Sequence, residues 1–436
     1  MATKRDQIGN LLQYLNIEIL LDQHRGFRLW EREFRRLRDN LQLDVCAELI
    51  RGARQFKLDE WDLKWLAFHE AELAIEQWKG NKAERILRHL LDMTVAPQLR
   101  GNALYRLADV LRSSGKYDAA LHNYELALEA LQKSGEQVTQ VYVQHMIGVT
   151  YWAEERIDEA LEHYRKSLEG YKQLEEEWGR LQVDDSNIVR NRDDIRRHMG
   201  NVLRDMGDAY RQVGQLDLAQ RHLLESLHVL EVMGSSLEVL MTHLSLAKLY
   251  REQSMWKEAN ESNQRALEMA QQLGSVSFET EALFRLAEIH YLAGDYHQCL
   301  DWANKASAMA IDYGFHNWSA RSLLTMGLAY FQMGLLTRSV DALVSAISYA
   351  DKFGPTMVIR LAAESKEVLE HLMSKGHRSL AKQLCTSYIS CLVRAAKDTQ
   401  WLDYYTDTIL RCEDWEKSVE AEKKADARSH ETRENT

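Results

Sequence analysis

Arginine and aromatic residues recur along this chain at a fixed interval, and both types are suited to recognising other proteins. The interval is forty residues, with one step of fifty-nine, and the series is Arg112, Trp152, Arg211, Arg251, Tyr291 and Phe331. A guanidinium group can form two parallel hydrogen bonds with a carboxylate. An aromatic ring offers a large contact area, and both types are common where binding energy is concentrated. The series therefore predicts a surface that binds a peptide or a protein.

Two further series keep the same interval. We number the repeating unit so that Leu107 and its equivalents are position 7, which makes the first series position 12. Position 5 holds Tyr105, His145, Arg204, Leu244, Phe284 and Leu324. Position 9 holds Asp109, Val149, Asp208, Lys248, Glu288 and Leu328. We expect all three positions to face one groove.

The predicted groove changes character along the chain. Its middle is basic, at Arg204, Arg211, Lys248 and Arg251. Its C-terminal part is apolar, at Phe284, Tyr291 and Phe331. This pattern favours a partner segment with acidic and apolar residues. In the alternative interpretation, Asp109 and Asp208 merely neutralise Arg112 and Arg211 on the same or adjacent helices.

Sequence patterns of catalysis and metal binding are missing. The stretch "SSGKYD" lacks the upstream glycine of a phosphate-binding loop, and neither H-E-x-x-H nor G-x-S-x-G occurs. The sixteen histidines show no metal-ligand spacing, and the five cysteines are scattered. We predict no enzyme activity, no cofactor and no metal. The unpaired cysteines indicate reduced thiols and a cytoplasmic location.

Composition narrows the class of protein further. The 436 residues are 45% apolar and 28% charged, which is typical of a globular chain. The net charge of −11 disfavours nucleic acid as the primary partner. The first residues do not resemble a signal peptide, and no apolar run is long enough for a membrane helix, so we expect no membrane insertion.

Six units of similar sequence fill residues 101–354. In the first unit Leu107 and Ala108 precede a glycine, Gly115, and then Ala120 and Tyr124. Small residues before and after the turn let two helices approach closely, and the glycine suits the turn itself. Each unit is therefore predicted to be a hairpin of two helices. One hairpin cannot bury both apolar faces, so the units must stack into an all-α, right-handed solenoid.

This pattern resembles the tetratricopeptide repeat, with a period of forty instead of the usual thirty-four. Long repeats of this type are similar to those of kinesin light chains, Pins-type scaffolds and the sensor arms of bacterial signal-transducing ATPases. The resemblance implies a protein-binding solenoid whose first helices line the groove. Positions 5 and 9 lack the lysine and asparagine of the family's carboxylate clamp, which disfavours chaperone docking.

Three regions are expected. Residues 1–60 form an N-terminal helical cap, or alternatively a dimerisation element that makes a homo-oligomer. Residues 61–397 form the solenoid, with about eight helix hairpins and an inserted extended hairpin at 172–200, which is either a tolerated insertion or a projection that contacts a partner. Opposite charges, such as Glu175 and Arg196, are expected to face each other across it. Residues 398–436 form a last helix and a charged, disordered tail.

Three functions fit this sequence. The first is a non-catalytic scaffold or adaptor that binds a protein or peptide. The second is a sensor module of a bacterial defence or signalling system that relays recognition to a separate effector. The third is a peptide-pheromone receptor, which the missing N-terminal DNA-binding domain disfavours.

Overall fold

The computed structural model describes residues 4–39, 42–93, 95–180, 186–395, 400–414 and 417. Within these ranges the regular elements are all α-helices, as predicted. The scarcity of proline permits this, because proline interrupts helices internally. The two prolines, Pro97 and Pro355, each stand at the start of a helix, where a missing N–H costs nothing.

The chain divides into two compact units, residues 1–229 and residues 230–436. The first unit begins with helices that precede the six repeats: α1 (Lys4–Leu21), α2 (Gln23–Asp39), α3 (Leu43–Ala53), α4 (Glu60–Glu76) and α5 (Gly80–Asp92). The repeats then continue through α6 (Pro97–Ser113), α7 (Tyr117–Ser134), α8 (Gln137–Ala153), α9 (Ile157–Arg180), α10 (Ser186–Gln212) and α11 (Leu216–Val232). The second unit begins in the last turn of α11.

The second unit contains the remaining repeats and the C-terminal helices. Its repeat helices are α12 (Ser236–Glu252), α13 (Trp256–Gln272), α14 (Val276–Leu292), α15 (Tyr296–Asp312), α16 (His316–Gln332) and α17 (Leu336–Phe353). They are followed by α18 (Pro355–Glu364), α19 (Lys366–Ser374), α20 (Arg378–Ala395) and α21 (400–414). The tail beyond residue 417, which was expected to be disordered, lies outside the described residues.

The repeat glycines have the two roles that the sequence predicts. Gly115 ends its helix with a φ of 72°, a conformation that glycine adopts at little cost. Ser254 holds the equivalent place in a later repeat with a φ of 57°. Gly207 lies where two helices cross, and a Cβ there would come within 2.6 Å of Leu223. The hairpin is therefore fixed by close approach of its helices and by a left-handed residue in its turn.

The N-terminal helices share one core with the first repeats. Trp30 and Phe34 of α2 are buried, with their ring centroids 5.2 Å apart, and they belong to the same apolar cluster as Tyr124 of α7. Leu15 of α1 is buried as well. The predicted cap thus has an apolar face packed on its own unit.

The inserted hairpin is formed by the extensions of α9 and α10. These helices have 24 and 27 residues, whereas α8 and α12 have 17. Arg196 Nε donates to Glu175 Oε1 at 2.5 Å, so the predicted pairing of opposite charges across the hairpin is confirmed.

Candidate partner-binding surface

The partly exposed face of the first helices follows positions 2 and 12 and, except at the buried Asp109, position 9. Position 6 is partly exposed in alternate repeats. Trp152 at position 12 is 39% exposed. Position 5 is buried at three of the proposed binding residues, Tyr105, His145 and Phe284, whose exposed fractions are 9%, 6% and 1%. Leu244 and Leu324 are buried as well, so the prediction that position 5 faces a groove is wrong for five of its six residues, whereas Arg204 stays partly exposed.

Position 5 is covered because it lies between neighbouring first helices. Tyr105 of α6 contacts Tyr142 of α8, with ring centroids 6.0 Å apart. Phe284 of α14 contacts Trp318 of α16 in the same way, at 5.3 Å. Both rings thus contribute to the stacking of hairpins and offer no free area to a partner.

In the first unit, two arginines of this face, Arg204 and Arg211, are paired with acids. Arg204 donates to Asp205 at 2.9 Å, and Asp205 also lies 2.8 Å from Nε2 of His145. Burial raises the pKa of Asp205, but Arg204 and His145 outweigh burial and bring the pKa to about 2. Arg211 pairs with Asp208 at 3.3 Å. The alternative interpretation, in which acids neutralise the arginines, therefore holds for Arg211.

Asp109 has different partners from those predicted. It accepts a hydrogen bond from the Tyr124 hydroxyl at 2.6 Å and lies 3.5 Å from Arg106. Arg112 is partly buried nearby, and its pKa is raised because Tyr124 and Asp109 outweigh the effect of burial. Asp109 therefore joins α6 to α7 in addition to balancing Arg112.

A buried ionic network connects the N-terminal helices to the repeats. Glu72 of α4 lies 2.5 Å from Arg38 of α2 and 2.9 Å from Arg106 of α6. The ring of His69 lies between Glu72, at 2.9 Å, and Glu31, at 3.2 Å. Burial alone would raise the pKa of Glu72, but His69, Arg106 and Arg38 lower it. Because three helices share this carboxylate, we assign the network a structural role.

The second unit presents a different arrangement, in which three arginines surround one carboxylate. Arg251 of α12 donates to Glu288 Oε2 at 3.0 Å, and Arg321 of α16 donates to Glu288 Oε1 at 3.3 Å. Arg285, one turn before Glu288 on α14, lies 3.9 Å away. We call Arg251, Arg285, Arg321 and Glu288 the arginine cluster. Its side chains are 12–24% exposed, so water reaches them from one side only.

The sequence analysis did not find Arg285 and Arg321, which stand at positions 6 and 2. Their signal was the helical spacing itself, because residues three, four or seven places from position 9 share its face of the helix. Lys248, which was predicted, lines a narrow crevice with Arg251 and Arg285. The basic character proposed for this face is thus carried in the second unit by more residues than expected.

Aromatic side chains lie on the same helices as the arginine cluster. Tyr291 follows Glu288 by one turn and is partly buried against Tyr296, with ring centroids 5.9 Å apart. Phe331 on α16 is partly exposed and contacts His371 at 5.2 Å. These two predicted residues therefore keep some surface that a partner could contact, unlike Phe284.

One group of side chains in the described ranges has the types that bind metals. His24 lies 3.4 Å from Asp59 and 3.5 Å from Asp62. Sequence spacing did not predict this group, because His24 is far from the two aspartates in sequence. Asp59 caps α4 by accepting from the N–H of Asp62 at 2.8 Å, and Gln23 donates to Asp62 at 2.7 Å. These hydrogen bonds give the group a role as a helix cap that ties α2 to α4.

The cysteines are all buried and free of disulfide bonds. Burial raises the pKa of Cys299 and of Cys385 to about 12, so neither thiol is readily ionised at neutral pH. In the part of the chain that the structure covers, no helix has the length and apolarity needed to cross a bilayer.

Comparison with known proteins agrees with this architecture. A search of curated protein sequences gives no match. Among solved structures, the chain is similar to the apo form of RapI, with a TM-score of 0.61, 14% identity, and 85% of this chain and 97% of that chain covered. It is also similar to the apo form of the quorum sensor NprR from B. thuringiensis, with a TM-score of 0.57, 16% identity and coverages of 79% and 94%.

A third similar structure is a Rap protein complexed with Competence and Sporulation Factor, with a TM-score of 0.54, 12% identity and coverages of 85% and 98%. At these identities the similarity establishes the fold. The sequence model of the tetratricopeptide repeat matches residues 99–173, 198–272 and 279–352, about half of the chain. The repeat architecture predicted from the sequence is thereby confirmed, and the chain belongs to the tetratricopeptide repeat family.

Proposed function

We propose that this protein is a non-catalytic interaction module that binds a protein or peptide segment on the first-helix face of its second unit. The observation that carries the proposal is the arginine cluster, where Arg251, Arg285 and Arg321 share Glu288 at a partly exposed surface. Charge-assisted pairs with arginine are strong and directional, especially where water is partly excluded. Acidic residues of the segment pair with this cluster.

Apolar residues of the same segment contact Tyr291 and Phe331. Both rings keep part of their surface exposed on helices that also supply Glu288 and Arg321. A neighbouring basic and aromatic surface is the composition in which binding energy is commonly concentrated. The predicted sites of the first unit that remain partly exposed, Arg112, Trp152, Arg204 and Arg211, provide a separate contact region.

The preferred biological setting is cytoplasmic, with a protein or peptide and not nucleic acid as the partner. A scaffold or adaptor is the simpler assignment. A sensor or regulatory module is the alternative, and the fold that this chain shares with RapI and the quorum sensor NprR supports that alternative. A scaffold holds two partners at once, whereas a sensor releases or activates an effector when its ligand binds. Homo-oligomerisation through the N-terminal helices remains part of this proposal.

The test is affinity capture of partners with three purified proteins: the wild type, an R251Q/R321Q variant and an R265Q control. Arg265 is an exposed arginine of α13 that pairs with Glu268 at 3.3 Å, away from the arginine cluster. We expect a specific partner to be retained by the wild type and R265Q and lost by R251Q/R321Q. Equal capture by all three proteins would refute binding at this surface. Circular dichroism of each variant checks that the fold is intact.

A further inference from the structure

A cavity of about 550 Å³ lies between α13, α14 and α15 of the second unit. Its volume is in the range of sites that bind small molecules. Leu267 of α13 and Leu283 of α14 line it and are buried, whereas Trp302 and Met309 of α15 line it with partly exposed side chains. We call it the Trp302 cavity. It shares no residue with the arginine cluster, so it is a separate part of the surface.

The aromatic residues of this cavity are particular to its repeat. The residues equivalent to Trp302 in the other five units are Asn123, His163, His222, Ser262 and Ala342. A large ring therefore replaces a small or polar side chain, and part of that ring stays exposed. Tyr313 also lines the cavity, is 60% exposed, and stacks on Phe315 with ring centroids 6.1 Å apart. Two rings thus remain available to a ligand, and one of them is held in position by its neighbour.

The charged side chains that line the cavity do not neutralise one another. Glu279 accepts a hydrogen bond from the uncharged Gln271 at 3.0 Å. Within the part of the chain that the structure describes, neither Glu279 nor Asp312 forms an ion pair, and Lys305 forms none with a carboxylate. Two unpaired carboxylates beside an apolar cavity favour a cationic ligand and disfavour an anionic one.

Lys305 shows which group the exposed indole ring accommodates. Its Nζ lies 4.3 Å from the centroid of the Trp302 ring, which is a cation–π contact. Lys305 is exposed, and such contacts are weak at exposed sites. The ammonium group of a ligand can therefore replace that of Lys305 on the ring, while the apolar part of the ligand covers Leu267 and Leu283.

We propose that the Trp302 cavity binds a small organic ammonium compound. The ammonium group contacts the rings of Trp302 and Tyr313, and the apolar part packs on Leu267 and Leu283. Burial of the apolar part supplies affinity, whereas the two carboxylates select a cation over a neutral or anionic compound of the same shape. This site is independent of the proposed function, because partner capture on the first-helix face does not involve these residues.

Isothermal titration calorimetry on the full chain tests the chemistry with three probes of similar shape: phenylbutylamine, phenylbutanol and phenylbutyrate. We expect phenylbutylamine to bind about tenfold more tightly than phenylbutanol, because contacts with an aromatic ring face and with carboxylates require a positive charge. Phenylbutyrate should bind most weakly. A fourth probe, the amide of acetyl-phenylalanyl-lysine, carries the same ammonium group on a peptide. If it binds more tightly than phenylbutylamine, the small-molecule assignment is overturned, because the ligand is then a basic protein segment.

Variants connect the binding to the cavity. W302A should weaken phenylbutylamine binding about tenfold, and D312N about threefold. K305M should strengthen it about threefold, because the protein's own ammonium group no longer occupies the ring. The control is K257M, since Lys257 is an exposed residue in the first turn of α13 that lies 4.0 Å from Glu261. K257M should leave the affinity unchanged.

Three results overturn the inference: equal affinity for phenylbutylamine and phenylbutanol, no detectable binding at about 10 mM phenylbutylamine, or an unchanged affinity in both W302A and D312N. Unchanged or weaker binding by K305M also overturns it, because Lys305 then does not compete with the ligand. Circular dichroism of each variant checks that the fold is intact. D312N and K305M change exposed side chains, so they remain informative if W302A does not fold.

Discussion

Glu288 competes with any anionic ligand for the same arginines, and this leads to an unusual prediction for Glu288→Gln. The substitution keeps the size of the side chain and removes its negative charge. Arg251 at 3.0 Å and Arg321 at 3.3 Å then lose their anionic partner, while the ring of Phe284, 4.4 Å from Arg321, still restricts that side chain. We expect the acidic partner segment to bind E288Q about tenfold more tightly than wild type, since one more cationic charge is available to it.

The same change should lower the stability of the second unit. Glu288 is 19% exposed and accepts from two arginines on other helices. Partial exposure screens these pairs, so we estimate a loss of about 1–2 kcal/mol in the free energy of unfolding. Affinity and stability thus move in opposite directions, which a purely structural role of Glu288 does not predict.

Calorimetry measures the affinity, and urea unfolding followed by circular dichroism measures the stability. The matched control is Glu268→Gln, because Glu268 pairs with Arg265 at 3.3 Å on α13, away from the arginine cluster. E268Q should leave the affinity for the partner within about twofold of wild type. Unchanged or weaker binding by E288Q would refute the reasoning and would show that Glu288 holds the arginines in the competent position.

Three further predictions concern the fold. Gly207→Ala should destabilise the first unit by about 1–3 kcal/mol, because the new Cβ would lie 2.6 Å from Leu223. Urea unfolding measures this loss, and a stability equal to wild type would contradict the close helix crossing. Ser254→Gly should stabilise the second unit by about 0.5–1 kcal/mol, since Ser254 has a φ of 57°; a lower melting temperature would argue against a strained turn. Burial raises the pKa of Glu72, but His69 and Arg106 together lower it below its usual 4.5. The stability that Glu72 contributes is therefore full above about pH 4.5 and is lost as the pH falls below that value. The free energy of unfolding, measured from pH 6 to pH 3, should therefore fall less steeply with falling pH in Glu72→Gln than in wild type. Identical slopes in the two proteins would exclude this carboxylate as a source of acid sensitivity.

Much of the local architecture followed from the amino-acid sequence alone. The period of forty residues, the turn glycines and the small residues at helix crossings predicted helical hairpins and their family. These features depend on neighbours within one hairpin, such as Gly207 and Leu223, which are close in sequence. A left-handed turn or a close crossing restricts the residue type so strongly that the restriction is visible in a single sequence.

Which rows of side chains stay at the surface of the first helices was decided by tertiary structure. Position 5 and position 9 lie only about 40° apart around a helix, and the packing of the next hairpin determines which of them is covered. Phe284 is covered by Trp318, whereas Glu288 remains at the surface. Sequence periodicity indicates which side of a helix is buried, but it does not distinguish two rows of side chains that are only about 40° apart.

The pairing of charges also required the folded chain. Arg251 and Arg321 meet Glu288 across 37 and 33 residues of sequence, from two different helices. The sequence showed a series of basic and acidic residues at similar positions, but each acid had several cations within reach. Which arginines share one carboxylate depends on the rotation and offset of adjacent helices, because ion pairing changes over distances of a few ångströms.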